Sequence, residues 1–347
     1  MHTGPGKLSG TLEAMQTLSD RRQFAAAFAS FDPAPYTNAP IAALNSNQRF
    51  SNAMLSCRVR DGEHRFVAEG ECSWGKVMGR TTKRDETANA ASADEDALEI
   101  SGGVQKAINE NWFAGFGLSY EDSKLTTADL ATSDGDRYQF GGILKSVYGA
   151  ATFSVSLSGG QGRYDTQRFV NFPVPGLTAT GKQKIDFLSS HLRAAYAFEH
   201  GSSYLRPLVD LGVSHTRLGA FSESGAGAAN LNVQKQDETY VSVQPALEIG
   251  TEWDQAYNGT LIRPYAIIGV THYLSGTNPE ITATLQGAPI GVAPFTVRGE
   301  MDETFGNLTL GLNFLASDGK NVRVTYDGQF SDHTESHAFG LKLSVPF

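Results

Sequence analysis

Residues 338–347 read AFGLKLSVPF. Phe339, Leu341, Leu343, Val345 and Phe347 take every second place, with Ala338, Gly340, Lys342, Ser344 and Pro346 between them. Successive side chains of a strand point to opposite sides, so this stretch is a strand with two unlike faces. The same period recurs upstream. In NWFAGFGLSY (111–120), Trp112, Ala114, Phe116, Leu118 and Tyr120 share one face; Phe113, Gly115, Gly117 and Ser119 share the other. Leu188, Leu192, Ala194, Tyr196 and Phe198 stand against His191, Arg193 and Glu199, and Leu205, Pro207, Val209, Leu211 and Val213 against Arg206, Asp210 and Ser214. Val241, Val243, Leu247, Ile249 and Trp253 oppose Gln244, Glu248 and Glu252, and Val322, Val324, Tyr326 and Phe330 oppose Arg323, Asp327 and Gln329.

Alternation alone does not choose an architecture, because a β-sandwich alternates too. Three further features favour an all-β transmembrane antiparallel barrel. Segments such as KIDFLSSHLRAAYAFEH (184–200) and ETYVSVQPALEIGTEWD (238–254) alternate for far longer than the about five or six residues of an ordinary strand. Aromatic residues close the apolar faces, as in the girdles of a membrane barrel. The links also alternate. Residues 81–96, 121–135, 165–182, 219–236 and 275–303 read as long connections; 108–111, 146–149, 199–203, 254–259 and 316–320 read as short ones. Only SDHTE (331–335) breaks the rhythm. Long loops at one end, short turns at the other and about twelve strands are the pattern of an outer-membrane barrel. LRPLVDLGVSH (205–215) and IRPYAIIGVTH (262–272) echo each other without a gap; Pro207 and Pro264 would lie near the short-turn rim, with Arg206 and Arg263 pointing inward.

Composition agrees: 37 Gly, 20 Phe and 12 Tyr favour strands and turns over helices. With 28 Lys+Arg against 37 Asp+Glu, a net charge of −9, and no basic run, nucleic acid is not the partner. No apolar window of about 18 residues occurs, which excludes a spanning helix and leaves a barrel open. The first residues lack the basic and apolar regions of a secretory signal, so an exported chain is expected to be part of a longer one.

Residues before about 57 differ from the rest. Leu12, Met15 and Leu18, then Phe24 and Phe28, have loose helical spacing, FDPAPYTNAP breaks it, and IAALNSNQRFSNAMLSC (41–57) reads as a second helix. Asn45, Ser46, Asn47, Gln48, Arg49, Ser51 and Asn52 make that helix suit a wet environment better than a dry core. Cys57 and Cys72 follow without nearby histidine ligands. A disulfide closing about 15 residues would contribute roughly 3 kcal/mol in an oxidising compartment; two independent thiols are the other reading.

The helix before the barrel, the Cys57/Cys72 pair leading into CSWGKVMGR, GGVQKAINENWFAGFGLSYEDS, YLRPLVDLGVSHTRLGAFSESG, RPYAIIGVTHYLSG and the terminal VPF together resemble the C-terminal translocator domain of autotransporters, the type V secretion proteins of Gram-negative bacteria. The resemblance covers roughly residues 39 to 347. It implies a barrel set in outer-membrane lipid, its lumen threaded by residues 39–57, with 58–347 as the barrel and 1–38 as linker or the end of a passenger. It also implies that an N-terminal passenger crosses to the surface, and that the last strand (Phe339, Leu341, Leu343, Val345, Phe347) is a signal read by the barrel-assembly machinery. Some members cut their passenger between adjacent asparagines. Here Ser46 separates Asn45 from Asn47, so that cleavage is not carried over.

The charges on the second faces are expected to line the lumen: His191, Arg193, Arg206, Asp210, Glu248, Glu252, Arg263, Arg323, Asp327 and Lys342. The helix adds Asn45, Asn47, Gln48, Arg49 and Asn52. An acid/base pair among them is the sharper reading; hydration and cross-strand pairing is the plainer one. No G-x-S-x-G, HExxH or phosphate-loop pattern stands above this background, and no cofactor or metal is expected. A porin-like channel or a barrel-embedded surface hydrolase is the alternative function, and a soluble β-sandwich the alternative fold.

Overall fold

The computed structural model describes residues 8–59, 66–87, 90–253 and 260–347; the short link at 254–259 lies outside them. Twelve strands form the wall: β1 Cys72–Arg84, β2 Ala93–Ala107, β3 Trp112–Thr127, β4 Ala131–Tyr148, β5 Ala151–Val170, β6 Leu177–Tyr196, β7 Ser203–Leu218, β8 Gln236–Thr251, β9 Leu261–Ser275, β10 Thr304–Leu315, β11 Asn321–Phe330 and β12 Thr334–Val345. Each pairs antiparallel with the next. The last strand then pairs with the first, from Ser73 opposite Val345 to Arg84 opposite Thr334. Closure leaves no wall strand with an unpaired edge, the condition for carrying a sheet through lipid.

The faces follow the period. Val77, Leu98, Ile100, Phe116, Leu118, Phe140, Leu157, Leu192, Leu211, Ile249, Ile268 and Leu312 point outward and exposed. On β12, Phe339, Leu341, Leu343 and Val345 do the same while Lys342 and Ser344 are buried inside; Phe347, just past the strand, is 63% exposed. Aromatic pairs mark both rims of this belt: the Trp112 indole donates to the Tyr148 hydroxyl at 3.3 Å near the short turns, and Tyr120 packs at a tilt against Tyr138 towards the long loops with centroids 5.0 Å apart.

Towards the long-loop end the two faces exchange character. On β6, Lys182, Lys184 and Asp186 point outward above Leu188, whereas Ile185 and Phe187 are buried inside. Two of the expected long links are therefore mostly strand. Residues 121–135 fold as the ends of β3 and β4 around a turn at 128–130, and 165–182 as the ends of β5 and β6 around 171–176. Beyond the lipid the outer face meets water and the inner face meets protein, so the sequence turns polar without leaving the strand.

Two short helices, α1 Ser9–Gln16 and α2 Arg21–Ala29, precede a 3-10 turn at Ala34–Thr37 and the longer α3 Asn38–Met54. Four short strands at Phe221–Ser222, Leu231–Val233, Glu280–Leu285 and Phe295–Arg298 pair into a small sheet over the long-loop end. Leu231, Val233, Ile281 and Ala283 of this sheet pack with Tyr36, Ala39, Ala42 and Ala43, and with Leu125, Tyr164, Ile185, Phe187 and Leu218 from the strand ends. This end of the barrel is closed by a dry core.

Candidate functional site: the occupied lumen

α3 runs down the lumen from the long-loop end to the short-turn end, where Cys57 is joined to Cys72 at the start of β1, with Cα atoms 6.1 Å apart. The helix leans on β2 to β7. Close approach is possible because that wall is glycine-rich: a Cβ on Gly117 would lie 3.1 Å from Met54 Cγ, and one on Gly141 only 2.7 Å from its Cε. Small polar residues complete the fit. Ser46 donates to Glu121 at 2.8 Å, Asn47 donates to Gln139 at 3.2 Å and accepts from Ser158 at 3.0 Å, and Ser51 bonds Ser158 at 3.0 Å.

The expectation of a wet helix needs correction along its length. Ile41 and Leu44 pack with Tyr240, Tyr273, Met301 and Phe305, and Ala39, Ala42 and Ala43 belong to the dry core already described. Only one side of the later turns is wet. Asn45, Gln48, Arg49 and Asn52 line a cavity of about 120 Å³ between the helix and the wall from β8 round to β1, and Asn52 also reaches a second one of about 180 Å³ that extends to Arg193 on β6 and Arg206 on β7. Asn47 faces the other way, into the β4–β5 wall.

The structure places the charged candidates in ion pairs and hydrogen bonds. Arg193 grips Asp210 through both carboxylate oxygens, at 2.7 and 2.6 Å, and donates to Asn52 at 2.8 Å. Glu248 takes Arg206 at 2.9 Å, the Tyr204 hydroxyl at 2.6 Å and Arg58 at 2.7 Å. Arg263 pairs with Glu252 at 2.7 Å. Asp327 accepts from Thr309 at 2.6 Å, and Arg323 donates to Asn313 at 2.6 Å. Lys342 donates to the carbonyl oxygens of Ala53 and Ser56, both at 2.7 Å, and so holds the end of the plug. His191 lies on the inner face with Nε2 unpartnered among the described residues.

Two clusters escaped sequence reasoning. Arg80, Glu95, Glu121 and Arg137 interlock on β1 to β4, with Arg80 on Glu121 at 3.0 Å and Arg137 on Glu95 at 2.8 Å. Reading 81–96 and 121–135 as loops hid the inner-face residues Glu95 and Glu121; continuing the period through those segments would have exposed them. Near the long-loop end, Arg168 clamps Glu223 at 2.8 and 2.6 Å, and Tyr36 donates to the same carboxylate. No local signal links those three residues.

Outside the lumen, Asp302 accepts from both Ser331 at 2.6 Å and His333 at 2.9 Å. The carboxylate stands in the middle, whereas nucleophile activation needs the histidine between serine and acid. Among the described residues no three His, Cys, Asp or Glu side chains gather to hold a metal.

A closed barrel with a lipid-facing belt, a polar lumen and its own upstream chain threaded through that lumen defines an outer-membrane translocation barrel. The comparisons agree. The sequence matches the family model described as Autotransporter beta-domain over residues 73–327. The chain belongs to this family, whose members are translocator barrels in the outer membrane of Gram-negative bacteria. Its fold is similar to the translocator domain of the autotransporter NalP from Neisseria meningitidis, at TM-score 0.70 and 15% identity over 90% of this chain and 98% of that one. It is also similar to the β-domain of the Bordetella autotransporter BrkA, at TM-score 0.60 and 16% identity over 80% and 100%. The transport unit of AIDA-I from Escherichia coli follows at TM-score 0.56 and 9% identity over 88% and 98%. Comparison with curated proteins finds no sequence match.

Proposed function

We propose that this chain carries an N-terminal passenger across the outer membrane or holds it at the surface. In this reading residues 1–38 are the linker or end of the passenger, 39–57 the plug that stays behind, and 58–347 the translocator domain. One observation carries it: α3 occupies the lumen along its length and hands the chain to β1 at the short-turn end. Residues 8–37 then lie on the long-loop side, outside the cell, and that is the geometry of a chain that has passed through its own barrel.

No catalysis by the barrel is part of this function. The lumen charges keep the wall hydrated and pin the plug. The terminal strand is the surface read by the barrel-assembly machinery: its outward residues present an uninterrupted apolar row to lipid, and Phe347 closes it at the short-turn rim. The test is display. A reporter fused ahead of residue 1, behind a secretory signal, should become accessible to antibody and protease on intact Gram-negative cells; a reporter retained in the periplasm beside a correctly folded barrel would overturn the reading.

A further inference from the structure

The larger lumen cavity, about 180 Å³, is bounded by a cross-strand row in which like charges face one another. Lys76 on β1 is directly opposite Lys342 on β12, and Lys342 is directly opposite Arg323 on β11. All three side chains line the cavity. Directly opposed inward residues lie about 5 Å apart, and like charges in such positions destabilise a sheet. The row continues to Ser101 on one side and Asn313 on the other, so no carboxylate sits in it.

The three carboxylates that line the same cavity, Glu69, Glu248 and Asp327, are engaged with other partners. Glu248 already carries Arg58 and Arg206, and Glu69 holds Lys145 at 2.8 Å. Asp327 lies four residues along β11 from Arg323, about 13 Å away along the strand, and accepts from Thr309. The Lys342 ammonium donates to the carbonyls of Ala53 and Ser56 and lies 4.4 Å from the Trp74 ring centroid, and Arg323 hydrogen-bonds through Nε alone, to Asn313, with its guanidinium carbon 5.8 Å from the Tyr265 ring centroid. Among the described residues no hydrogen bond or ion pair engages the Lys76 ammonium or the terminal nitrogens of Arg323.

We infer that this cavity is a binding site for a small multivalent oxyanion of the phosphate class, held by Lys76 and Arg323 with Lys342 behind them. An ammonium and a guanidinium fork supply the charge-assisted donors that tetrahedral oxyanions take, and the space admits phosphate with a few waters at about 30 Å³ each. Because β1 and β12 are the strands that close the barrel, such an anion neutralises the repulsion at its seam. Phosphate binding is therefore linked to barrel stability.

Calorimetric titration of inorganic phosphate into the full chain, folded in detergent at ionic strength fixed with sodium chloride, tests this. Saturable binding is expected, weakened about tenfold or more in Lys76→Gln and in Arg323→Gln and unchanged in Lys182→Gln on the outer face; each tenfold is about 1.4 kcal/mol. Phosphate should raise the unfolding temperature of the wild-type barrel and leave that of the Lys76→Gln/Arg323→Gln double variant unmoved. In phosphate-free buffer Lys76→Gln should unfold at a higher temperature than wild type, since the repulsion is gone. Absence of saturable binding, equal affinity in the lumen variants, a response reproduced by extra chloride, or a Lys76→Gln barrel less stable without phosphate would each overturn the site.

Discussion

Arg58, in the segment leaving the plug helix, reaches Glu248 on β8 with Nη1 2.7 Å from Oε1. The Glu248 side chain is almost wholly buried, and Arg206 and Tyr204 share it. This contact ties the end of the plug to the wall that α3 does not lean on.

Removing one charge from a buried cluster leaves its partners uncompensated, which costs about 3–5 kcal/mol. Glu248→Gln strands two guanidinium groups around a neutral amide. Urea unfolding of the barrel in detergent should show a loss of that order, and a change below about 1 kcal/mol, the scale of an exposed pair, would mean that the cluster is fully hydrated.

The seal at the outer end makes a graded prediction. Tyr36→Phe deletes one donor to Glu223 while Arg168 keeps the carboxylate, a loss of about 0.5–1.5 kcal/mol. Glu223→Gln leaves the buried Arg168 unpaired, at about 3–5 kcal/mol. Trypsin added to intact cells should cut at Lys235 readily in Glu223→Gln and slowly in Tyr36→Phe; equal cutting would separate this cluster from the seal.

His333 and Asp302 lie in loops beyond the wall strands, and their bond makes that corner sensitive to pH. The hydrogen bond to Asp302 raises His333 above its usual 6.5. Burial raises the Asp302 carboxyl, and the bonds from Ser331, His333 and Thr334 outweigh it and hold the group below its usual 3.8. The histidine contribution is complete below 6.5 and fades as pH rises through its raised value; the aspartate contribution is complete above 3.8 and fades as pH falls through its lowered value. Ring-proton shifts of His333 should titrate above 6.5 in the wild type and move back towards it in Asp302→Asn. Titration at or below 6.5 in the wild type would contradict the pairing.

Deleting Phe347 removes the aromatic end of an outward row and leaves the β1–β12 pairing intact. Membrane assembly in cells should fall sharply, while refolding of the purified chain in detergent changes little. Normal insertion of the truncated chain would remove the recognition role.

Where one face meets lipid, the fold was legible. Along 188–196 and 339–347 the outer residues had to be apolar, so period two marked the strands, and their length, aromatic ends and the rhythm of the links gave barrel and approximate strand number. It failed where the solvent changed. Within 165–182 the outer face turns polar at Asp165, Gln167, Thr180 and Lys182, while Val170 and Ala179 turn the inner face apolar, so a continuing strand reads as a loop. The helix misled for a related reason: its Asn and Ser side chains bond polar wall residues such as Glu121 and Gln139, which satisfies them without bulk water. Pairings such as Arg168 with Glu223 depend on loop paths that no local pattern encodes.

The central claim is that residues 39–57 close the barrel from within. Single-channel conductance in a planar bilayer, comparing residues 1–347 with residues 58–347, tests it most directly. The full chain should be mostly closed and the trimmed one should form a steady open pore; equal conductance from both would mean that residues 39–57 are no plug.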